Sequence, residues 1–122
     1  MFSYLTYKTL HLVGVFLVLM SLGSLSFYLI NGGTGKPANR GFVAMCHGLG
    51  LLCVLLGGFG MIARMGIPWP WPGWIFAKAV VWLALGGMLA ILPRYPRRAR
   101  SLWWVTVALG ACATYFAVYK PF

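Results

Sequence analysis

The sequence predicts an all-α protein, an integral membrane bundle of four antiparallel helices. Three observations predict it. Of 122 residues, 61% are hydrophobic and mean hydropathy is +0.86, whereas soluble domains are about half apolar and about a quarter charged. The apolar residues gather into four runs, and ~20 residues at 1.5 Å each cross a ~30 Å hydrocarbon core. Charge is limited to 10 Lys and Arg, set almost entirely at the run edges, with no Asp or Glu at all.

The first run covers Leu10 to Ile30 and follows the polar-edged stretch Tyr4-Leu5-Thr6-Tyr7-Lys8-Thr9. It is too long for the apolar stretch of a signal peptide, and no small-residue cleavage pattern precedes the next loop. Asn31 to Arg40 is a Gly/Pro/Asn loop. The second run covers Phe42 to Ile62, followed by Arg64 and a Pro/Trp-rich link, Gly66 to Gly73. Trp74 to Leu92 forms the third run, Pro93 to Arg100 a basic loop, and Leu102 to Tyr119 the last run before Lys120-Pro121-Phe122. Hydrocarbon supplies no water to bare backbone groups, so each span must close its own hydrogen bonds as a helix. The period-2 alternation of a barrel is absent. Short connections make consecutive helices antiparallel within one domain, 1–122.

Four spans return the C-terminus to the face that holds the N-terminus, here called the A side. The A side carries Lys8, Arg64 and Lys120, with Lys78 just inside. The opposite B side carries Lys36, Arg40, Arg94, Arg97, Arg98 and Arg100. The excess assigns B to the cytoplasm and both termini to the other face. Trp69, Trp71 and Trp74 form an aromatic belt at A, and Trp103 and Trp104 one at B. A net charge of +10 flanking apolar spans fits anionic lipid as a partner, not nucleic acid.

Without carboxylates the chain has no side-chain general acid or base of that kind and no hard-cation ligand. Paired-carboxylate glycosidases and carboxylate-based pumps are excluded, and no catalytic residue is assigned. The chain's one anion is its C-terminus at Phe122, which can reach the A side. Cys46, Cys53 and Cys112 are an odd count inside apolar runs, which argues against a disulfide framework. Cys46 and Cys53 are two helical turns apart, ~10 Å along the axis, too far to bridge. They read as packing residues with no coherent metal-ligand set.

Ionisable groups inside a membrane are expensive and mark sites. Here they are His11 on the A-side rim of the first helix, His47 near the B end of the second, and Lys78 near the A end of the third. The face of His11 continues through Gly14, Val18 and Ser21, and that of His47 through Gly50, Val54 and Gly57. Small residues on these faces admit either a neighbouring helix or a flat cofactor. Imidazole is a good axial ligand for haem iron, and helix bundles hold haem between facing helices. His11 and His47 are therefore the candidate metal ligands, for one or two haem b groups. They enter from opposite faces, which disfavours a shared iron. Lys8, Lys78 and Arg64 gather with His11 as cations without an acid, a setting for propionates, a quinone head group or lipid phosphate.

Tyr7-Lys8-Thr9-Leu10-His11-Leu12, His47 followed by a Leu/Gly-rich stretch, Trp74-Ile75-Phe76-Ala77-Lys78, the basic turn before the last helix and the ending Val118-Tyr119-Lys120 together resemble the SirB family. The resemblance spans nearly the whole chain. It implies a small four-helix protein of a bacterial inner membrane, with periplasmic termini by the charge count above. SirB-like chains carry an acidic residue shortly after the second-helix histidine, and this sequence has Gly48-Leu49-Gly50 instead. The K-x-x-H start and W-x-x-x-K third helix are also similar to HemJ-type protoporphyrinogen oxidases and the CopD membrane domain. The HemJ likeness implies haem b on His11 with Lys78 beside it. The expected function is a haem-b membrane protein for electron transfer or haem and porphyrin handling. The alternative is a cofactor-free structural or accessory subunit, with a protein partner or a second copy in the membrane. A porphyrinogen-oxidase-like enzyme is the third reading.

Overall fold

The computed structural model describes residues 2–34 and 37–121. Lys36 and the Phe122 carboxylate lie outside the described residues. Four helices account for most of the chain: α1 Tyr4–Ile30, α2 Arg40–Met65, α3 Gly73–Arg94 and α4 Ala99–Tyr119, with a 3-10 turn at Pro96–Arg98. No strand occurs among the described residues. All four helices are long and apolar enough to cross a membrane.

The helices outrun the apolar runs at their ends, for local reasons. Ser3 caps α1, its Oγ accepting the Thr6 N–H at 3.2 Å, so the polar-edged stretch from Tyr4 is already helical. At the end of α2, Gly66 turns left-handed with φ 69°, and the Ile67 N–H returns to the Ile62 carbonyl at 3.3 Å. The expected basic loop is mostly helical. Pro93 and Arg94 complete α3, Pro96 opens the 3-10 turn, and Ala99 starts α4. Pro96 is at home in a first turn, where an N–H would have no helical partner, whereas Pro93 gives up one bond, to the Leu89 carbonyl, in the last turn of α3.

α1 is the hub. It touches each of the other three helices, whereas α2 and α4 do not meet among the described residues. Its closest partner is α2, and the approach runs over glycines. A Cβ on Gly14 would come 2.6 Å from the Gly50 oxygen, and one on Gly50 2.8 Å from the Gly14 oxygen. One on Gly57 would come 2.7 Å from the His11 nitrogen and the Tyr7 oxygen, and the Tyr7 ring lies on Gly60. Falling numbers on α1 thus meet rising numbers on α2, an antiparallel pair. The small-residue faces left open by the sequence are filled by a neighbouring helix.

Toward the B side α1, α3 and α4 enclose the apolar core, Val18, Leu22, Leu25 and Leu29 with Met88, Leu92 and Ala99. Large apolar side chains such as Phe16, Met20, Phe42, Leu83, Trp104 and Val118 point outward. That inversion is what a lipid environment requires, because helices there are joined by close packing and hydrogen bonds with little hydrophobic drive.

Substituting Gly14 or Gly57 by Ala is therefore expected to destabilise the fold by about 1–3 kcal/mol, the usual range for overpacking. Gly48→Ala, whose Cβ would meet nothing within 4 Å, is expected to be neutral. Thermal unfolding in mild detergent, followed by circular dichroism, checks the contrast.

Candidate functional site

Among the described residues three ring nitrogens cross between helices, and each ends on a main-chain oxygen. His11 Nδ1 on α1 lies 2.8 Å from the Val54 carbonyl of α2. His47 Nε2 on α2 lies 3.1 Å from the Leu85 carbonyl of α3. Trp82 Nε1 on α3 donates at 3.1 Å to the Leu51 carbonyl of α2. The last two form a reciprocal pair: His47 and Leu51 are one turn apart on α2, and Trp82 and Leu85 nearly one turn apart on α3. α2 and α3 otherwise touch sparingly, so these two bonds set how they meet.

The two histidines differ in the nitrogen they keep. A carbonyl oxygen only accepts, so in a neutral imidazole the bonded nitrogen carries the hydrogen and the other keeps its lone pair. His11, half-buried beside Gly58, is bonded through Nδ1 and retains Nε2 at the ring tip. This is the arrangement of metal-binding histidines, oriented by a carbonyl on the far nitrogen. His47, only 3% exposed, has its tip nitrogen bonded to Leu85 and retains Nδ1 next to its own backbone. His11 keeps its tip nitrogen out of the interhelical bond, and His47, as placed here, does not.

The depths of the two rings also differ. His11 reaches Val54, seven residues beyond His47 on α2, so ~10 Å of helix separates the levels of the two rings. One iron cannot take both.

Around His11 the expected cations are partly assembled. Lys78 is half-buried and close enough to His11 and to Lys120 for their charges to interact. Lys120 donates to the Ala117 carbonyl at 2.8 Å and stands 5.3 Å from the centre of the Trp74 ring. Lys8 and Arg64 are exposed, outside the half-buried part of this cluster. The thiols Cys46, Cys53 and Cys112 are free. Among the described residues no three His, Cys, Asp or Glu side chains converge on a metal position.

Sequence reasoning missed Trp82 as a helix fastener. It stood in view one turn beyond Lys78, but an indole N–H can satisfy itself at an interface, and only the α3 orientation shows which carbonyl it meets. Comparison with protein-family models, curated proteins and solved structures finds no match. The likeness to SirB-like chains rests on the residues quoted above.

Trp82→Phe removes one donor and keeps the ring packing, and is expected to cost between about 0.6 and about 1.7 kcal/mol, the average and the maximum measured for interhelical hydrogen bonds in a membrane. His47→Ala removes a bond and leaves a void, and is expected to cost about 2–5 kcal/mol, the range of buried large-to-Ala changes. Chemical unfolding in detergent micelles measures both, with the tryptophan change expected to be the milder.

Proposed function

We propose that the protein is a multi-pass protein of a bacterial inner membrane, with periplasmic termini, that binds one haem b at His11 and serves in electron transfer or in haem and porphyrin handling. The observation that carries this reading is the His11 ring, held through Nδ1 by the Val54 carbonyl with Nε2 left over. Haem b, if held by His11 Nε2, would supply one-electron exchange at its iron. The chain's own contribution is the oriented imidazole and the A-side cations. Lys78 and Lys120 nearest, and Lys8 and Arg64 beyond, suit propionate carboxylates through charge-assisted hydrogen bonds. His47 is outside the haem site in this reading and fastens α2 to α3. Of the one or two haems that the sequence admits, this reading takes one.

A second reading is favoured by the same bonds. Both imidazoles already join neighbouring helices, which is sufficient reason for their presence in a cofactor-free accessory subunit of a larger membrane complex. Zero acidic side chains then fit an anionic lipid or an acidic partner across an interface.

An optical spectrum separates the two. Protein purified in mild detergent from cells supplied with haem is expected to show a Soret band that His11→Ala abolishes and Trp82→Phe leaves in place. A wild-type protein that is helical by circular dichroism yet lacks the band removes the haem reading and leaves the accessory one.

A further inference from the structure

α1 and α4 meet only over part of their lengths and leave an apolar groove between them. Its volume is about 380 Å³, and its walls include Val15, Gly23 and Ser26 of α1 and Trp103, Gly110 and Thr114 of α4. The hydroxyls in these walls are silent. Ser26 donates to the Leu22 carbonyl at 2.7 Å, Thr106 to Leu102 at 2.9 Å and Thr114 to Gly110 at 2.9 Å, each within its own helix. No hydroxyl hydrogen is left for a polar guest, and the groove asks for hydrocarbon.

Its length and place narrow the guest. From Trp103 to Thr114 is ~17 Å of helix, and Val15 to Ser26 is the same. One leaflet of a ~30 Å hydrocarbon core is ~15 Å deep. The groove starts ~6 Å inside the B end of α4 and runs ~17 Å toward the A side, so it occupies the B-side leaflet and crosses the midplane by several ångströms. The lining stripe Trp103, Val107, Gly110, Thr114 runs back at the same spacing to Arg100. Arg100 is exposed, as are Arg94, Arg97 and Arg98 around the 3-10 turn, and the chain has no Asp or Glu to pair any of them. An apolar slot about as long as one leaflet therefore opens beneath four arginines without acidic partners.

We infer that the α1–α4 groove is a binding site for one anionic phospholipid of the B-side leaflet, with an acyl chain along Gly110 and the phosphate at Arg100 and its neighbours. This rests on the membrane-spanning reading and is independent of haem. The occupant is fixed by the joint demand for hydrocarbon and negative charge. A transmembrane helix from a second copy of this chain would bring no acidic side chain to the arginines.

The test uses the full chain and two phospholipids, phosphatidylglycerol and phosphatidylcholine. Flotation with vesicles of phosphatidylcholine alone first checks membrane insertion, and its failure removes the spanning reading. Native mass spectrometry then counts retained lipid. Phosphatidylglycerol is expected to stay bound at one per chain, with phosphatidylcholine lost. Arg100→Gln is expected to lower phosphatidylglycerol retention ~5-fold, the effect of about one cation at an anionic surface. Gly110→Phe, whose Cβ would enter open space, is expected to abolish the retained lipid while flotation persists. Ala111→Phe repeats that test from the next lining position should the first variant misfold. Equal retention of both lipids, retention that survives both groove-filling variants, or a lipid-free dimer of the wild type would each overturn the site.

Discussion

A chain with no aspartate or glutamate must find main-chain acceptors for the donors it buries at depth, and this constraint shapes the rest of the molecule. Among the described residues no buried side-chain nitrogen or oxygen lacks a partner. The short hydroxyls solve the problem locally. Ser21 donates to Leu17 and Ser26 to Leu22, each at 2.7 Å, and Thr106 and Thr114 likewise turn back on their own helices. Their hydrogens are spent within their own helices, so these hydroxyls donate to no neighbouring helix. The long ring donors can reach, and His11, His47 and Trp82 each cross to a neighbouring helix. Side-chain length thus sorts the polar residues into those that fall silent and those that connect.

The same constraint divides the molecule by depth. The B-side half is an apolar core of leucines with Val18, Met88 and Ala99, crowned by arginines. The A-side half is thinner, with α1 drawn against α2 over Gly14, Gly50 and Gly57 and the Lys78 amine half-buried near His11. The proposed haem site, which uses a nitrogen lone pair and nearby positive charge, is therefore set on the A side. Lipid contacts that need hydrocarbon and surface charge belong to the B side. The two proposed sites use different stretches of α1, His11 near its A end and Val15 to Ser26 along the rest.

Much of the fold is legible in residue patterns, and the limits have identifiable causes. Hydropathy locates the four helices because a bilayer demands ~20 apolar residues per span. It misplaces the start of α1, since Ser3 extends the helix by capping, which hydropathy does not register. It leaves Pro93 to Arg100 as a loop, because charge marks an interface and says nothing of whether the backbone there is helical. The buried faces of α1 and α2 follow from residue spacing, and His11, Gly14, Val18 and Ser21 do run down one side. What the spacing cannot tell is the partner of each face. Gly14 and Gly57 suit a helix and a porphyrin equally, and only the position of α1 over α2 decides for the helix. The carbonyl partners Val54 and Leu85 are invisible for the same reason: any residue supplies a carbonyl, so identity carries no signal.

The contrast between the two histidines follows from how closely each helix pair approaches. At Gly57 the missing side chain lets the α1 backbone at His11 touch α2. The imidazole begins so near the partner helix that its inner nitrogen already meets a carbonyl, and the tip extends past it. α3 approaches α2 with no such glycine contact at His47, so the ring must stretch its full length and the outer nitrogen makes the bond. A pair packed on glycine leaves the ring tip available, and a pair held apart by side chains occupies it. The small residues that close the α1–α2 interface to a flat cofactor thereby decide which imidazole remains able to bind one at its edge.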